Sequence, residues 1–85
     1  MPRPLTVLLF AGAREAVGRG QVDLLLAGES EPVEDVLARL RATYPRLSPL
    51  LAVSRLVRNG EYLRGNRGRL RPGDELAIHP PYSGG

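Results

Sequence analysis

The sequence lacks cysteine and lysine entirely, and each absence excludes a class of chemistry. Without cysteine the chain forms no disulfide, offers no thiolate nucleophile and provides no cysteine ligand for a metal. All 12 cationic side chains are arginine, so Schiff-base chemistry and isopeptide formation on a lysine of this chain are excluded. The one histidine, His79, has no acidic or thiol neighbours and is a poor metal site, so we interpret it as a plain surface residue at a strand end. We therefore expect no metal site.

Long apolar runs are absent as well. No stretch approaches the roughly 20 residues that cross a bilayer, and residues 1–4 are not followed by the apolar segment of a signal peptide. We therefore expect a cytoplasmic protein with no membrane partner. At 85 residues the chain is one small domain, with little room for a catalytic cleft of its own.

The positive charge of the chain is mild and is concentrated in one stretch. The net charge is +3, and the arginines are densest in residues 64–71, which superficially resemble an RG-rich RNA-binding segment. Such segments depend on repetition and on stacking aromatics, whereas here there is one short stretch with only Tyr62 nearby. The pattern favours a solvated loop over residues 64–69 and no nucleic-acid partner.

The first half of the chain predicts two strands followed by a helix. Residues 5–10 are an apolar run too short for a helix, and residues 21–26 form a plausible antiparallel partner. The three glycines of residues 11–20 indicate a connecting loop with at most one helical turn. Residues 32–43 predict the main helix, because proline suits its first turn and four apolar residues recur at spacings of three and four: Val33, Val36, Leu37 and Leu40.

The second half predicts short strands separated by turns. Residues 47–51 are interpreted as irregular. Asn59-Gly60 between two strand-like runs, residues 55–58 and 61–63, is a strong hairpin signal, and residues 71–74, Arg-Pro-Gly-Asp, predict a further turn. Residues 75–78 predict the last strand, because the prolines that follow cannot continue a ladder.

These elements predict an α+β fold. Only the helix has a single apolar stripe, so we expect it to pack on one face of a mixed sheet. The first and last strands are expected to be central, parallel neighbours. This arrangement is a β-grasp, or ubiquitin-like, fold, with a domain over residues 1–79 and an extended tail over residues 80–85.

The tail is the part of the sequence best suited to chemistry. Pro80 and Pro81 stiffen its exit, and Gly84 and Gly85 have no Cβ and fit a narrow channel. The only functional group of the last glycine is its α-carboxylate. A carboxylate on a thin arm is suited to be the substrate of another enzyme. In the active site of that enzyme, the carboxylate would attack the α-phosphate of ATP and become activated.

Three motifs resemble the small subunit of molybdopterin synthase, a sulfur carrier of the ThiS/MoaD family. They are Val7-Leu8-Leu9-Phe10-Ala11 with Arg14-Glu15 and Gly18, the segment Val57–Tyr62, and the segment Leu70–Ala77 followed by Pro80-Pro81-Tyr82-Ser83-Gly84-Gly85. The resemblance covers essentially the whole chain. The sequence departs from the family at His79, usually apolar, and at Tyr82, usually a small aliphatic residue.

The resemblance implies a sulfur carrier that has no catalytic side chains and binds no cofactor. An E1-like adenylyltransferase would activate Gly85 with ATP and Mg²⁺, and a persulfide donor would convert it to a thiocarboxylate. The tail, including Ser83 and Gly84, would then enter the synthase large subunit and transfer sulfur to cyclic pyranopterin monophosphate. The resemblance also favours Phe10 as a partner contact rather than a core residue, and suggests that Arg14 contacts the adenylating enzyme.

Three other hypotheses remain open. Related carriers supply sulfur for thiamine or for tRNA thiolation, although those chains are typically shorter and lack the two prolines. A ubiquitin-like modifier would use the same tail to form an isopeptide with a target lysine. A small RNA-binding module would use the arginine stretch.

Overall fold

The computed structural model describes residues 3–81, so Tyr82, Ser83, Gly84 and Gly85 lie outside the described residues. The elements, in chain order, are β1 (Leu5–Leu9), α1 (Ala11–Val17), β2 (Gln21–Leu24), β3 (Glu31–Pro32), α2 (Val33–Thr43), a 3-10 turn (Pro45–Leu47), α3 (Ser48–Leu51), β4 (Arg55–Arg58), β5 (Glu61–Tyr62), β6 (Arg69–Leu70) and β7 (Glu75–His79).

Five strands form a mixed sheet in the order β2-β1-β7-β4-β5. Strands β1 and β7 are parallel neighbours, with Val7 opposite Leu76 and Leu9 opposite Ile78. The other pairs in this sheet are antiparallel. The predicted parallel pairing of the first and last strands is therefore confirmed.

One face of this sheet packs against α2. Side chains alternate along β1, so Leu5, Val7 and Leu9 are buried while the residues between them are half-buried. The predicted stripe of α2 is confirmed, because its four apolar residues are all buried in one cluster with β1 and β7. The helix begins at Val33 rather than Pro32, which is its N-cap residue.

The prediction of a loop over residues 11–20 was wrong. Residues 11–17 form α1, a helix of about two turns that buries Ala13. Gly18 ends the helix in a left-handed conformation, with φ of 84°, and donates its N–H to the carbonyl of Arg14. This glycine is a C-cap, since a residue without Cβ adopts positive φ at little cost, and its presence marks the end of a helix rather than a loop.

The segment predicted as irregular also contains helical turns. Residues 45–47 form a 3-10 turn, and α3 follows directly. Each begins with proline at its first or second position, where the missing N–H has no intrahelical partner to lose. The segment folds because Leu47 and Leu51 are buried in the core.

Both predicted turns are confirmed. Asn59 and Gly60 have φ of 48° and 86°, as a type I′ turn between β4 and β5 requires. In the second turn the N–H of Asp74 donates to the carbonyl of Arg71 at 2.9 Å, and Gly73 has φ of 88°. The positive φ at the third turn residue is the signature of a type II turn.

The remaining differences concern strand lengths. The first strand ends at Leu9 rather than at residue 10, and β2 ends at Leu24 rather than at residue 26. Strand β5 ends at Tyr62 rather than at residue 63, while β7 extends to His79. A second, two-stranded sheet of β3 and β6 was not predicted, because each strand has only two residues.

Candidate functional site

The tail begins at the end of the strand that lies at the centre of the sheet. Strand β7 pairs with β1 on one side and with β4 on the other, with Ile78 opposite both Leu9 and Leu56. Leu76 and Ile78 have no solvent exposure. The base of the tail is therefore held by two ladders and by the core, which gives the tail a fixed origin.

The ladder stops where the prolines begin. His79 is the last residue of β7, Pro80 is half-buried and Pro81 is exposed. Proline has no N–H to donate, so neither residue can extend the sheet. The chain thus leaves the sheet at residue 80. The predicted roles of Ser83, Gly84 and Gly85 lie outside the described residues and stay predictions.

Phe10 and His79 form a stacked pair beside the tail. Their ring centroids lie 4.4 Å apart with an angle of 7° between the ring planes. The pairing of Leu9 with Ile78 explains this contact, since in parallel strands the next residues of both chains also lie side by side. Phe10 is 41% exposed, so it is a surface residue rather than a core residue. Its role as a partner contact stays a prediction.

A cation–π pair continues the row across the sheet. Arg55 lies opposite His79 in the β4–β7 ladder, and its guanidinium carbon lies 5.6 Å from the ring centroid of Tyr62. By the alternation of side chains along the strands, these residues lie on the face away from α2. We call Phe10, His79, Arg55 and Tyr62 the tail-side row. It is an exposed row of flat groups that ends beside the strand terminus from which the tail continues.

The sequence identified Phe10 and His79 separately but missed that they touch. His79 was interpreted as a plain surface residue at a strand end, and it is exposed. The stack could have been inferred from the register of the two parallel strands. Leu9 of β1 pairs with Ile78 of β7, so the residues that follow them are also neighbours. That register follows from the alignment of two apolar strands, so it becomes visible only when both are considered together.

The sequence predicted that Arg14 lies in a loop, but it lies on helix α1. Its side chain is exposed and passes close to Gly20, where an added Cβ would lie 3.7 Å from its Nε. The helix therefore presents Arg14 to solvent from a fixed element. Its contact with an adenylating enzyme stays a prediction.

Residues 3–81 contain no group of three or more His, Asp or Glu side chains arranged to hold a metal ion. Within the same residues, no helix is long and apolar enough to cross a membrane. What this end of the molecule offers chemically is a firmly anchored strand, a proline exit and a flat exposed row.

Comparisons with known proteins place the chain in a class and then in a family. Its fold is shared with ubiquitin-like β-grasp proteins: the solution structure of small archaeal modifier protein 1 from Methanosarcina acetivorans is similar to it with a TM-score of 0.76 and 31% identity, over 100% of this chain and 99% of that chain. The family model of the ThiS family matches residues 7–85. The chain belongs to the ThiS family.

Two relatives with the same name are similar to this chain along nearly its whole length. A molybdopterin synthase sulfur carrier subunit of Dictyostelium discoideum is 33% identical over 86 residues, which cover 100% of both chains. A protein of the same name from Chlamydomonas reinhardtii is 38% identical over 82 residues, covering 95% of this chain and 98% of that one. The resemblance inferred from the three motifs is thus confirmed.

Proposed function

We propose that this protein is the sulfur carrier subunit of a molybdopterin synthase. The observation that carries the proposal is the similarity, along the full chain, to relatives that bear this name. The geometry of β7 supports it, because this central strand ends at His79 and is followed by two prolines, which cannot extend the sheet. The protein acts in this proposal as a substrate and donor, with an E1-like enzyme and a synthase large subunit as its partners.

The first step is activation of the Gly85 carboxylate. A carboxylate oxygen attacks the α-phosphorus of ATP within the E1-like enzyme, which forms an acyl-adenylate and releases pyrophosphate. Mg²⁺ held by that enzyme would neutralise the phosphate charge. The glycines of the tail suit this step, since a chain without Cβ atoms can enter a channel that larger residues would block.

The second step exchanges oxygen for sulfur. The terminal sulfur of a persulfide donor attacks the acyl carbon and expels AMP, and reduction of the resulting S–S bond by a thiol releases a thiocarboxylate on Gly85. Because this chain has neither cysteine nor lysine, none of its own side chains offers a thiol or an ε-amine to capture the activated acyl group.

The third step takes place in the large subunit. The thiocarboxylate tail enters the active site of that subunit and transfers its sulfur to cyclic pyranopterin monophosphate. The tail-side row would lie against the partner during this transfer, since exposed aromatic side chains beside a functional tail are typical of a contact surface.

Intact mass spectrometry tests this function. The chain is incubated with an E1-like enzyme, ATP, Mg²⁺ and a persulfide donor. We expect the mass gain of one oxygen replaced by one sulfur, located on Gly85 by fragmentation and absent when ATP is omitted. A chain with one residue appended after Gly85 should keep its fold and remain unloaded. Loading of that blocked chain, or no loading of the natural chain by an active enzyme, would contradict the proposal.

A second function has one observation in its favour. The fold and 31% identity are shared with a protein named small archaeal modifier protein 1. A modifier would pass its activated Gly85 to the lysine of a target protein and form an isopeptide. Conjugates that persist under reducing, denaturing electrophoresis and carry Gly85 on a lysine would identify this function, whereas a sulfur carrier accumulates thiocarboxylate without them.

A further inference from the structure

The opposite end of β7 carries a pocket that the sulfur chemistry does not use. Arg58, Asn59, Arg69, Arg71 and Asp74 line an open cavity of about 340 Å³. The pocket lies between the turn that joins β4 to β5 and the turn that precedes β7. We call these five residues the arginine pocket. Glu75 begins β7 beside this pocket and His79 ends the strand at the tail, so the two sites are separated by the length of the strand.

The one carboxylate of the pocket, that of Asp74, accepts hydrogen bonds from uncharged donors. Oδ1 of Asp74 accepts from Nδ2 of Asn59 at 3.0 Å, and its Oδ2 accepts from the backbone N–H of Arg71 at 2.8 Å. Oδ1 of Asn59 in turn accepts from the N–H of Glu75 at 2.9 Å. The carboxylate thus fastens the two turns to each other and makes no ion pair with the arginines that surround it.

Two of the three guanidinium groups are held in place by uncharged acceptors. Nη1 of Arg58 donates to the carbonyl of Arg69 at 3.1 Å. Arg69 donates from Nε to Oγ of Ser30 at 2.7 Å and from Nη2 to the carbonyl of Ser30 at 3.2 Å. These bonds orient the groups without neutralising them, so little ordering is needed before a ligand binds.

The pocket therefore has an excess of positive charge. Across residues 3–81 the one ion pair joins Arg39 to Glu31, at 2.7 Å, and no pocket arginine takes part in it. Arg3 adds to the charge, because its guanidinium carbon lies 2.9 Å from where a Cβ on Gly73 would be, in the neighbouring turn. Three arginines thus face one aspartate, and a concave surface in which charge of one sign predominates attracts the opposite charge.

We propose that the arginine pocket binds a small oxyanion of the phosphate class, such as a phosphate monoester or a diphosphate. Planar guanidinium groups match phosphate oxygens in pairs, and three of them around one cavity can contact several oxygens at once. The volume is at the lower end of the range of small-molecule sites, about 300–1,000 Å³, which fits a compact ligand. The inference goes beyond the sulfur-carrier function and does not depend on it.

The observations favour a small anion over a nucleic-acid strand. Single-stranded nucleic acid needs aromatic side chains on which bases stack. Tyr62, the aromatic nearest in sequence to the arginine stretch, has its ring against Arg55 in the tail-side row. Among the described residues that line the pocket there is no aromatic side chain, whereas three of them are arginines.

Nuclear magnetic resonance of the arginine Nε–H groups tests the site. The folded chain at low ionic strength is titrated with inorganic phosphate and, separately, with pyrophosphate. We expect saturable shifts of the Nε–H signals of Arg58, Arg69 and Arg71, with tighter binding of pyrophosphate. Arg71→Gln should weaken this binding about tenfold, since it removes one charge-assisted contact to the ligand. Arg46→Gln, the same change at an exposed arginine outside the pocket, should leave it unchanged.

Three results would overturn the proposal. The first is a linear response that never saturates and is the same for all arginines. The second is equal weakening by Arg71→Gln and Arg46→Gln. The third is a chain whose arginine signals do not shift with phosphate or pyrophosphate, but which binds an RNA oligonucleotide with steep salt dependence. The titration of the natural chain identifies the responding arginines by itself, so the test stands even if a variant fails to fold.

Discussion

The two ends of strand β7 differ in how they hold their charged and aromatic side chains. At the tail end, Phe10 stacks on His79, Arg55 lies over the ring of Tyr62, and two prolines follow the strand. At the other end, a carboxylate and an amide fasten two turns together and leave three arginines around a cavity without acidic partners. One end is suited to contact a protein surface and release a tail, and the other is suited to receive an anion.

The difference shows how a domain of 85 residues can hold two sites without a cleft between domains. Leu76 and Ile78 of β7 belong to the core cluster, and Ala77 between them is buried as well. Both sites that we propose therefore lie beyond the ends of the strand. The core holds the strand between these two ends and contributes no reactive group to either.

Removing a core residue of β7 should damage both ends at once. Leu76→Ala leaves a cavity beneath the centre of the sheet, so we expect it to lower the free energy of unfolding by about 3 kcal/mol, within the usual range for buried leucine. Chemical denaturation followed by circular dichroism measures this. Leu25→Ala, at a residue that is 60% exposed, should change it by less than about 0.5 kcal/mol. Equal effects of the two substitutions would contradict the assigned packing.

Widening the tail should damage one end only. Gly84→Val adds a branched side chain next to the proposed reactive carboxylate, and misplacement by about 1 Å can cost about a hundredfold in rate. We expect sulfur loading, measured by intact mass, to slow by at least that factor while the midpoint of thermal unfolding is unchanged. A variant that loads at the natural rate would show that the tail does not enter a narrow channel.

The tail-side row should matter for association more than for folding. Phe10→Ala removes an exposed aromatic from the proposed contact surface, and we expect the affinity for the large subunit to fall about tenfold. Loss of the stack with His79 should cost at most about 1.5 kcal/mol of stability. Isothermal titration calorimetry measures the affinity, with Val53→Ala, at an exposed residue outside the row, as the matched control. An unaltered affinity for the Phe10 variant would remove the row from the interface.

The smallest effect is expected at the arginine end. Asp74→Ala removes the acceptor for Asn59 and for the N–H of Arg71, and since both bonds are exposed we expect a loss of about 1 kcal/mol in unfolding free energy. Sulfur loading should be unaffected. Glu15→Ala, an exposed acid on α1, serves as the control for stability. A defect in loading by the Asp74 variant would show that the two ends are coupled.

The sequence predicted those parts of the fold that depend on local patterns. The stripe of α2, the Asn59-Gly60 hairpin and the Pro72-Gly73 turn each follow from residues close together in the chain, and the structure contains all three. The prediction for α1 was wrong because glycine was interpreted as a loop signal. In the structure Gly12 lies within the helix, where an added Cβ would lie 3.5 Å from the side chain of Leu50, and Gly18 caps the end.

The arginine pocket could not be predicted, for a different physical reason. The sequence suggested a solvated loop for residues 64–69, and Arg64 and Arg67 are indeed exposed. The pocket, however, depends on contacts between distant positions, such as Asn59 with Asp74 and Arg69 with Ser30. Hydrogen bonds of this kind depend on the register of the strands, which brings distant residues together. No local sequence pattern therefore predicts them.

Transfer of sulfur out of the loaded carrier tests the central claim most directly. Thiocarboxylated protein is mixed with the large subunit, with and without cyclic pyranopterin monophosphate, and its intact mass is followed over a single turnover. We predict that the mass returns to that of the carboxylate only when both are present, as sulfur leaves Gly85 for the pterin. A thiocarboxylate that survives this mixture, while Gly85 appears on lysines of other proteins, would contradict the account and identify a modifier instead.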